Sequence, residues 1–404
     1  MSLITEVVVP RYGIAWYPWA VQYFFLIALS YCSLWLAAPG LIFGKKTWMP
    51  TARVALLACV TTTLVAPVAL LADLHQPLRF WHFYGYPTPW SWMSIGSFLL
   101  PMYLGAVVLL AWLTWRPALK ARSYEADGWF SRIAGWLAWG NWQAPRALIV
   151  LIGLAALVAS LGIMIYTGFE VAVLKGRPLW HTNWLPPMFV TTGLIGACGM
   201  ALVLNRVTGL RHPETNRQLM AIMAIACVVT GFIALTWFLD GVNSVSGSVA
   251  AALASIDESP AWRSTAIEGS LAGVLLAVLA FVMRRSAARR KAMGWVIGLL
   301  ALHVAWMFRW VVLMNVQTIA RNTAGFNDYY IDFGSYGLLG IIGIFGLWLT
   351  AILLIDLFVP WREATENPRS NSVITPEMRT RSLSTSASSP VSTPASHEGA
   401  TSHG

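Results

Sequence analysis

Several residues of types that can exchange protons with a substrate lie near the ends of long apolar runs. Asp73 and His75 follow one run, and Glu170 ends another. Tyr166 lies four residues before Glu170, so the two side chains share one side of a helix. Carboxylates and imidazoles are the usual proton acceptors in enzyme sites. We therefore expect Asp73, His75 and Glu170 to be catalytic residues that carry protons.

The segment Ala66–Ile95 concentrates these residue types together with an arginine and many aromatic rings. We expect Arg79 to hold Asp73 in its charged form and Trp81 to lie at the depth of the membrane interface, and we expect both to take part in substrate binding. Hydrogen bonds to a substrate are expected from residues in other runs, namely Gln22, Tyr23, Tyr166 and Arg309.

These residue types suit a lipid-soluble quinol. A quinol is flat and apolar with two hydroxyl groups, and its oxidation releases two protons and two electrons. A site for it needs aromatic walls, a hydrogen-bond partner at each hydroxyl, and groups that pass protons to water. Since no metal-binding motif accompanies these residues, we expect no metal site.

Composition indicates the elements that must position this site. The chain has 404 residues, of which 57% are apolar and only 11% charged, and its mean hydropathy is +0.63. This excludes a soluble globule, a disordered chain and a disulfide-rich secreted domain. Apolar runs of about 20 residues cross a bilayer as helices. Nine such spans are predicted: Ala15–Ile42, Val54–Ala72, Trp90–Trp115, Ala147–Phe169, Trp184–Leu204, Leu219–Leu239, Ala266–Met283, Ala292–Met314 and Gly334–Ile355.

The basic residues predict the orientation of these spans. The segments after spans 1, 3, 5, 7 and 9 hold 20 Lys and Arg, whereas the N-terminus and the remaining connections hold 6. The positive-inside rule then places the N-terminus outside, in the periplasm, and the C-terminus in the cytoplasm. The net charge of +10 therefore reflects membrane topology, and no nucleic-acid partner is expected.

With this orientation, nearly all the polar and ionisable residues that are costly to place in a membrane lie toward its outer face. An ionisable group inside a membrane costs at least ~2.5 kcal/mol on insertion scales, so such a cluster indicates a site. Only His303 falls near mid-membrane, where it is expected to be a packed core histidine, with a proton relay as the alternative. A bis-histidine haem needs two such residues. Four single cysteines give no cluster motif, so neither haem nor an iron–sulfur cluster is expected in this chain.

The domain organisation is predicted to be a membrane domain over residues 1–363 and a tail over residues 364–404. The tail is rich in Ser, Thr and Pro and has almost no large apolar side chain. It cannot bury enough surface to offset its ordering entropy, so we expect a disordered cytoplasmic extension.

A resemblance adds to this interpretation. The pattern Asp73-x-x-x-Pro77-x-Arg79-Phe80-Trp81, followed by the Pro-Thr-Pro-Trp-Ser turn at Pro87–Ser91, resembles the polysulfide reductase membrane subunits, also called NrfD-like anchors. Four longer stretches resemble the members of this family that serve tetrathionate reduction: Trp16–Phe25, Ala66–Trp92, Tyr166–Trp180 and Arg309–Thr318.

The resemblance implies a nine-helix, haem-free anchor in the bacterial inner membrane, arranged as two four-helix bundles plus a ninth helix. It implies two periplasmic partners, an iron–sulfur electron-transfer subunit and a molybdopterin catalytic subunit that reduces tetrathionate to thiosulfate. Quinol would be oxidised near the outer face, with contacts from Gln22 and Tyr166. Some relatives have His where Gln22 stands, and this shifts the proton-accepting role toward Asp73, His75 or Glu170.

Two other functions remain open at this point. A secondary transporter would bind its substrate or protons at the buried acids and Arg309, but transporter sites usually lie near the midplane. A purely structural anchor would leave the buried acids unexplained. The sequence does not distinguish menaquinol from ubiquinol, tetrathionate from a related sulfur acceptor, or pumping from non-pumping.

Overall fold

The computed structural model describes residues 14–124, 128–243, 247–319, 326–327 and 329–362, apart from the side chains of residues 287–290. Thirteen α-helices follow one another: α1 (Pro18–Leu41), α2 (Met49–Asp73), α3 (His82–Gly85), α4 (Trp92–Arg122), α5 (Trp129–Ala138), α6 (Arg146–Ala172), α7 (Leu185–Val207), α8 (Pro213–Val242), α9 (Gly247–Glu258), α10 (Pro260–Met283), α11 (Ala287–Trp310), α12 (Val316–Thr318) and α13 (Leu338–Phe358). A π-helical turn, Val311–Asn315, joins α11 to α12.

Nine helical segments in the described part of the chain are long and apolar enough to cross a membrane. They are α1, α2, α4, α6, α7, α8, α10, α11 with its continuation to Thr318, and α13. The prediction of an all-α membrane protein with nine spans is confirmed. Most helices extend beyond the predicted runs. For example, α10 begins at Pro260 rather than Ala266, because Ser259 caps it by accepting the Trp262 N–H at 3.4 Å.

Helix α1 is the centre of the packing. It contacts α2, α6, α7, α11 and α13, and nearly all its side chains are buried, from Pro18 to Leu41. The other main pairs are α4 with α6, α7 with α8 and α11, and α10 with α8 and α11. The outer faces of α6, α10 and α13 are largely apolar and exposed, as suits helices that face lipid. The division into two four-helix bundles and a ninth helix stays a prediction.

Consecutive long helices alternate in direction, so the end of α2 lies beside the start of α1. The Tyr17 N–H, at the start of α1, donates to Asp73 Oδ1 at 3.0 Å. We call this end of the helical unit the Asp73 end. Trp262 at the start of α10 donates to Thr318 at 3.2 Å, and Trp184 before α7 donates to Asp240 near the end of α8. The polar residues at these helix ends therefore converge on one end of the protein.

Contacts divide the chain into Met1–Ala364 and Thr365–Gly404. The second unit lies outside the described residues, so the disordered tail over residues 364–404 stays a prediction.

Candidate functional site

A buried group of phenols and a carboxylate lies between α1 and α6 at the Asp73 end. Tyr23 is fully buried, Tyr166 is 3% exposed and Glu170 is 7% exposed. The Tyr166 side chain lies beside those of Tyr23 and Glu170. We call these three residues the polar triad. The spacing of Tyr166 and Glu170 on one helix side is thus what brings both against α1.

Close helix packing fixes the position of Tyr166. Gly96 on α4 faces the Tyr166 ring, and a Cβ atom at Gly96 would lie 2.2 Å from ring carbons. Any larger residue would therefore have to displace the phenol. On a different side of α6, Gly168 faces Pro186 on α7, and a Cβ atom at Gly168 would lie 2.6 Å from the Pro186 Cβ. These glycines were not identified from the sequence, because a single glycine in an apolar run gives no sign of which ring it faces.

The two predicted acids of this region come together, but through different contacts. Asp73 and Glu170 are close enough to interact electrostatically. Asp73 is partly exposed and accepts the Tyr17 N–H, whereas Glu170 is buried within the polar triad. Among the ion pairs of the described residues there is none between Asp73 and Arg79. The expected pairing is therefore replaced by a bond from Asp73 to the start of α1.

His75 and Arg79 lie farther out, in the connection between α2 and α4. Together with Gln76, His82 and Ser94 they line an open pocket of about 570 Å³, which we call the outer pocket. The His75 ring packs against Tyr17, with ring centroids 5.7 Å apart. Tyr17 therefore links His75 to Asp73. The lining of the outer pocket includes no residue of the polar triad.

Trp81 lies on the outside of this connection. It is 53% exposed, and its ring meets the His82 ring edge-on at 4.0 Å. Its depth at a membrane interface stays a prediction, and it does not line the outer pocket.

Gln22 faces a different neighbour from Tyr23. Its Oε1 accepts the Trp306 Nε1–H at 3.3 Å, so it points toward α11. Its Nε2 is buried and has no hydrogen-bond partner among the described residues, and the same is true of Tyr23 Oη and Glu170 Oε2. A buried polar atom without a partner costs about 1–3 kcal/mol. The unpartnered atoms of Tyr23 and Glu170 both belong to the polar triad, and they indicate hydrogen-bonding capacity there that a ligand can use.

Arg309 is occupied by the protein itself. Its guanidinium is fully buried and donates to the carbonyls of Phe24, Ala305 and Phe189 at 3.0, 2.7 and 3.0 Å, and to Thr192 Oγ1 at 3.2 Å. These bonds connect α11 with α1 and α7. Four of its five N–H groups are thereby satisfied. We therefore assign Arg309 to the framework of the site, and its expected contact with substrate stays a prediction.

A second framework residue, Gln317, was not identified from the sequence. It is 1% exposed, and its Oε1 accepts the N–H groups of Ala15 and Trp16 at 3.0 and 2.9 Å. Its Nε2 donates to the carbonyls of Trp16 and Leu313. Gln317 thus fixes the segment that leads into α1. The only feature of the sequence that points to Gln317 is its polar side chain at the end of an apolar span.

The π turn and the residues that follow it offer carbonyls to the connection after α6. Trp180 Nε1 donates to Val312 O at 2.6 Å, and Arg177 Nη1 donates to the carbonyls of Val316 and Ile319. Trp16 stacks on Trp180 at 5.3 Å. Nearby, burial raises the pKa of Tyr329 to about 12, so this phenol stays protonated at neutral pH. Such π turns often mark functional regions.

The other ionisable residues that lie in or beside the spans are not part of the polar triad. Asp240 accepts from Trp184, and Glu268 is exposed on α10. His303 is exposed on α11, so the expectation of a packed core histidine is wrong. A mid-span position identifies depth but not which side of the helix faces the protein. Within the described residues, no group of three His, Cys, Asp or Glu side chains is placed to hold a metal.

The fold and site define a multi-pass helical membrane protein whose buried acid and phenols gather at one end of the helical unit. Residues 7–320 match the family described as "Polysulphide reductase, NrfD". The chain therefore belongs to the polysulphide reductase NrfD family, and the resemblance found in the sequence is confirmed.

Curated relatives agree with this assignment. The chain is 31% identical to a tetrathionate reductase subunit of Salmonella typhimurium over 354 residues, which covers 87% of this chain and 94% of the relative. A selenate reductase subunit of Mesobacillus selenatarsenatis is 23% identical, and the match covers 48% of this chain and 49% of the relative. Protein NrfD of Escherichia coli is 29% identical, and the match covers 48% of this chain and 63% of the relative. The chain is thus a membrane subunit of a reductase family.

Proposed function

We propose that this chain is the membrane anchor and quinol-oxidising subunit of a tetrathionate reductase. Quinol gives up two protons and two electrons, and two electrons convert one tetrathionate into two thiosulfates, so the reaction balances. In this proposal the electrons pass to an iron–sulfur subunit and from there to a molybdopterin catalytic subunit. The 31% identity over nearly the full length of a tetrathionate reductase subunit is the observation that supports the choice of acceptor.

The polar triad supports the choice of donor. A quinol hydroxyl must donate and accept hydrogen bonds in a place that water does not fill, and Tyr23 Oη and Glu170 Oε2 are buried and unpartnered among the described residues. Gln22 Nε2 adds a third unpartnered atom. The aromatic rings of Trp16, Phe24 and Phe189 stack in sequence, and the Phe24 ring centroid lies 5.3 Å from that of Tyr23. The residues present therefore fit a flat, apolar ring with polar oxygens.

The roles follow from burial. Glu170 is the buried acid next to both phenols, so it is assigned the proton from the quinol hydroxyl, with Tyr166 and Gln22 as hydrogen-bond partners. Asp73 interacts electrostatically with Glu170 and is partly exposed, so it is assigned the next step toward water. His75 lies at the outer pocket and completes the exit. Arg79 lines the same pocket, where its charge favours anionic forms of these groups.

The orientation and location are part of the same proposal. The 20 basic residues on one side place the Asp73 end in the periplasm and the C-terminus in the cytoplasm of a bacterial inner membrane. The iron–sulfur and catalytic subunits are then periplasmic and dock at the Asp73 end. This places the electron donor site and the electron acceptor on the same side of the membrane.

Purification with the products of the neighbouring genes tests this function. The complex should reduce one tetrathionate for each quinol oxidised, and it should also accept electrons from reduced methyl viologen. Without this chain, the viologen activity should persist and the quinol activity should vanish. Equal quinol activity with and without this chain would refute the proposal.

A further inference from the structure

A narrow cationic pocket lies at the end of the helical unit opposite the Asp73 end. It is formed where α7 ends, where α8 begins, and along the first turns of α11. Three cationic side chains line it, Arg206, Arg211 and Lys291, next to Asn205 and Trp295. We call it the basic pocket. It belongs neither to the polar triad nor to the outer pocket, and the proposed electron transfer does not use it.

Buried hydrogen bonds hold the loop that carries Arg211. Asn205 is 1% exposed, and its Oδ1 accepts the His212 N–H at 3.2 Å while its Nδ2 donates to His212 O and Asn216 Oδ1. The Arg211 N–H donates to Asn205 O at 2.9 Å. Arg211 has a φ of 49°, in the left-handed region that side chains disfavour. The loop is therefore held in a specific conformation that directs Arg211 to the basic pocket.

The α8 and α11 helices meet closely at the same point. A Cβ atom at Gly294 would lie 3.2 Å from Asn216 Nδ2. This close approach brings Lys291, one turn earlier on α11, beside the loop. The pocket is thus formed by packing between three spans and not by a single mobile loop.

Within the described part of the chain, the three cations have no acidic counterpart. No acid lines the basic pocket, and the ion pairs of the described residues include none from Arg206, Arg211 or Lys291. The acid nearest to Arg211 in the sequence, Glu214, pairs with Arg217 at 2.6 Å. The first turn of α8 also directs its N-terminal dipole toward this end. An anion is therefore the ligand that the pocket favours.

Size and position indicate which kind of anion. The free space within the pocket is about 20 Å³, enough for a group the size of one water. One oxygen of a phosphate group can enter while the rest of its molecule stays outside. Trp295 is 41% exposed beside it, as is common for tryptophans at a membrane surface. Basic pockets between spans typically bind lipid headgroups.

We propose that the basic pocket binds the phosphate of an anionic phospholipid headgroup. Free inorganic phosphate has the same chemistry and is distinguished by the test. The inference does not depend on quinol oxidation or on any partner protein.

The test uses the full-length chain, purified in detergent and stripped of lipid. The probes are tetraoleoyl cardiolipin, dioleoyl phosphatidylglycerol, dioleoyl phosphatidylcholine and inorganic phosphate, and native mass spectrometry measures bound lipid while a melting curve measures Tm. The main variant combines Arg206→Gln, Arg211→Gln and Lys291→Gln. The control variant combines Lys45→Gln, Lys46→Gln and Lys120→Gln, which removes the same charge elsewhere at this end.

Each cation near an anionic lipid contributes about fivefold in affinity, so removing three should weaken cardiolipin binding on the order of 100-fold. The control variant should bind like the unaltered chain, and phosphatidylcholine should raise Tm in none of them. If the triple variant does not fold, the single Arg211→Gln variant should still lose about fivefold. A Tm increase from inorganic phosphate alone, lost in the triple variant, would support the anion site with free phosphate as its source. Equal cardiolipin binding by the triple and control variants would overturn the proposal.

Discussion

Replacing Glu170 by glutamine should stop proton transfer while keeping the shape of the polar triad. Glutamine has nearly the same volume and can keep the contact with Tyr166, but it accepts no proton at ordinary pH. Loss of a positioned proton acceptor typically lowers a rate by ~10²–10⁴-fold, equivalent to about 3–5 kcal/mol of barrier. Tyr166→Phe removes one hydrogen bond, worth ~0.5–1.5 kcal/mol, and should lower the rate by up to roughly tenfold.

The assay compares two electron donors on the same purified complex. Quinol-dependent tetrathionate reduction should fall in Glu170→Gln, whereas reduction driven by methyl viologen should be unchanged, since this donor bypasses the chain. Glu268→Gln is the matched control, because Glu268 is also an acid in a span at the Asp73 end but is exposed on α10. It should retain the quinol rate of the unaltered complex.

Asp73→Asn separates the two roles of that residue. The asparagine Oδ1 can still accept the Tyr17 N–H and hold the start of α1. A large loss of quinol activity with unchanged Tm would then identify proton transfer as the role of Asp73. If Asp73→Asn and Glu170→Gln both assemble and oxidise quinol at near the original rate, the acid–base assignment is wrong.

Two further outcomes follow from the structure, and two more follow from the sequence. Gly96→Ala should displace the Tyr166 ring and lower quinol activity but not viologen activity, whereas Gly105→Ala, with no atom within 4 Å of its Cβ, should change neither. Arg309→Gln should leave several buried acceptors without a hydrogen-bond donor, each at a cost of about 1–3 kcal/mol in stability, and should therefore lower the Tm measured by thermal unfolding. An unchanged Tm would contradict the framework role. Deleting residues 370–404 should leave quinol oxidation intact, and an alkaline phosphatase fused at the C-terminus should be inactive, since activity there would reverse the proposed topology.

The number of spans and their helical structure were predictable because the membrane imposes one length and one secondary structure on every span. The residues at which each helix begins and ends were less predictable. Apolar runs end at the first charges, whereas α10 begins at Pro260 and α2 begins at Met49, beyond those charges. The short helix α9 has no apolar run of spanning length and was not predicted.

The end of the helices at which the site residues lie was predictable, but the direction in which each side chain points was not. Hydropathy placed Asp73 and Glu170 at one end, and the structure brings them together. It did not indicate that Arg309 bonds to backbone carbonyls or that His303 faces outward, because these depend on how each helix is rotated about its axis. Small residues such as Gly96 gain their role only from the ring that they face.

Photolabelling with an azidoquinone tests most directly whether quinol reacts at the polar triad. The purified complex is illuminated with the probe, and the labelled peptides are identified by mass spectrometry. Our account predicts label on α1 and α6 close to Tyr23 and Tyr166, reduced by excess natural quinone. Label confined to the lipid-facing surfaces of α10 and α13, or unaffected by excess quinone, would contradict it.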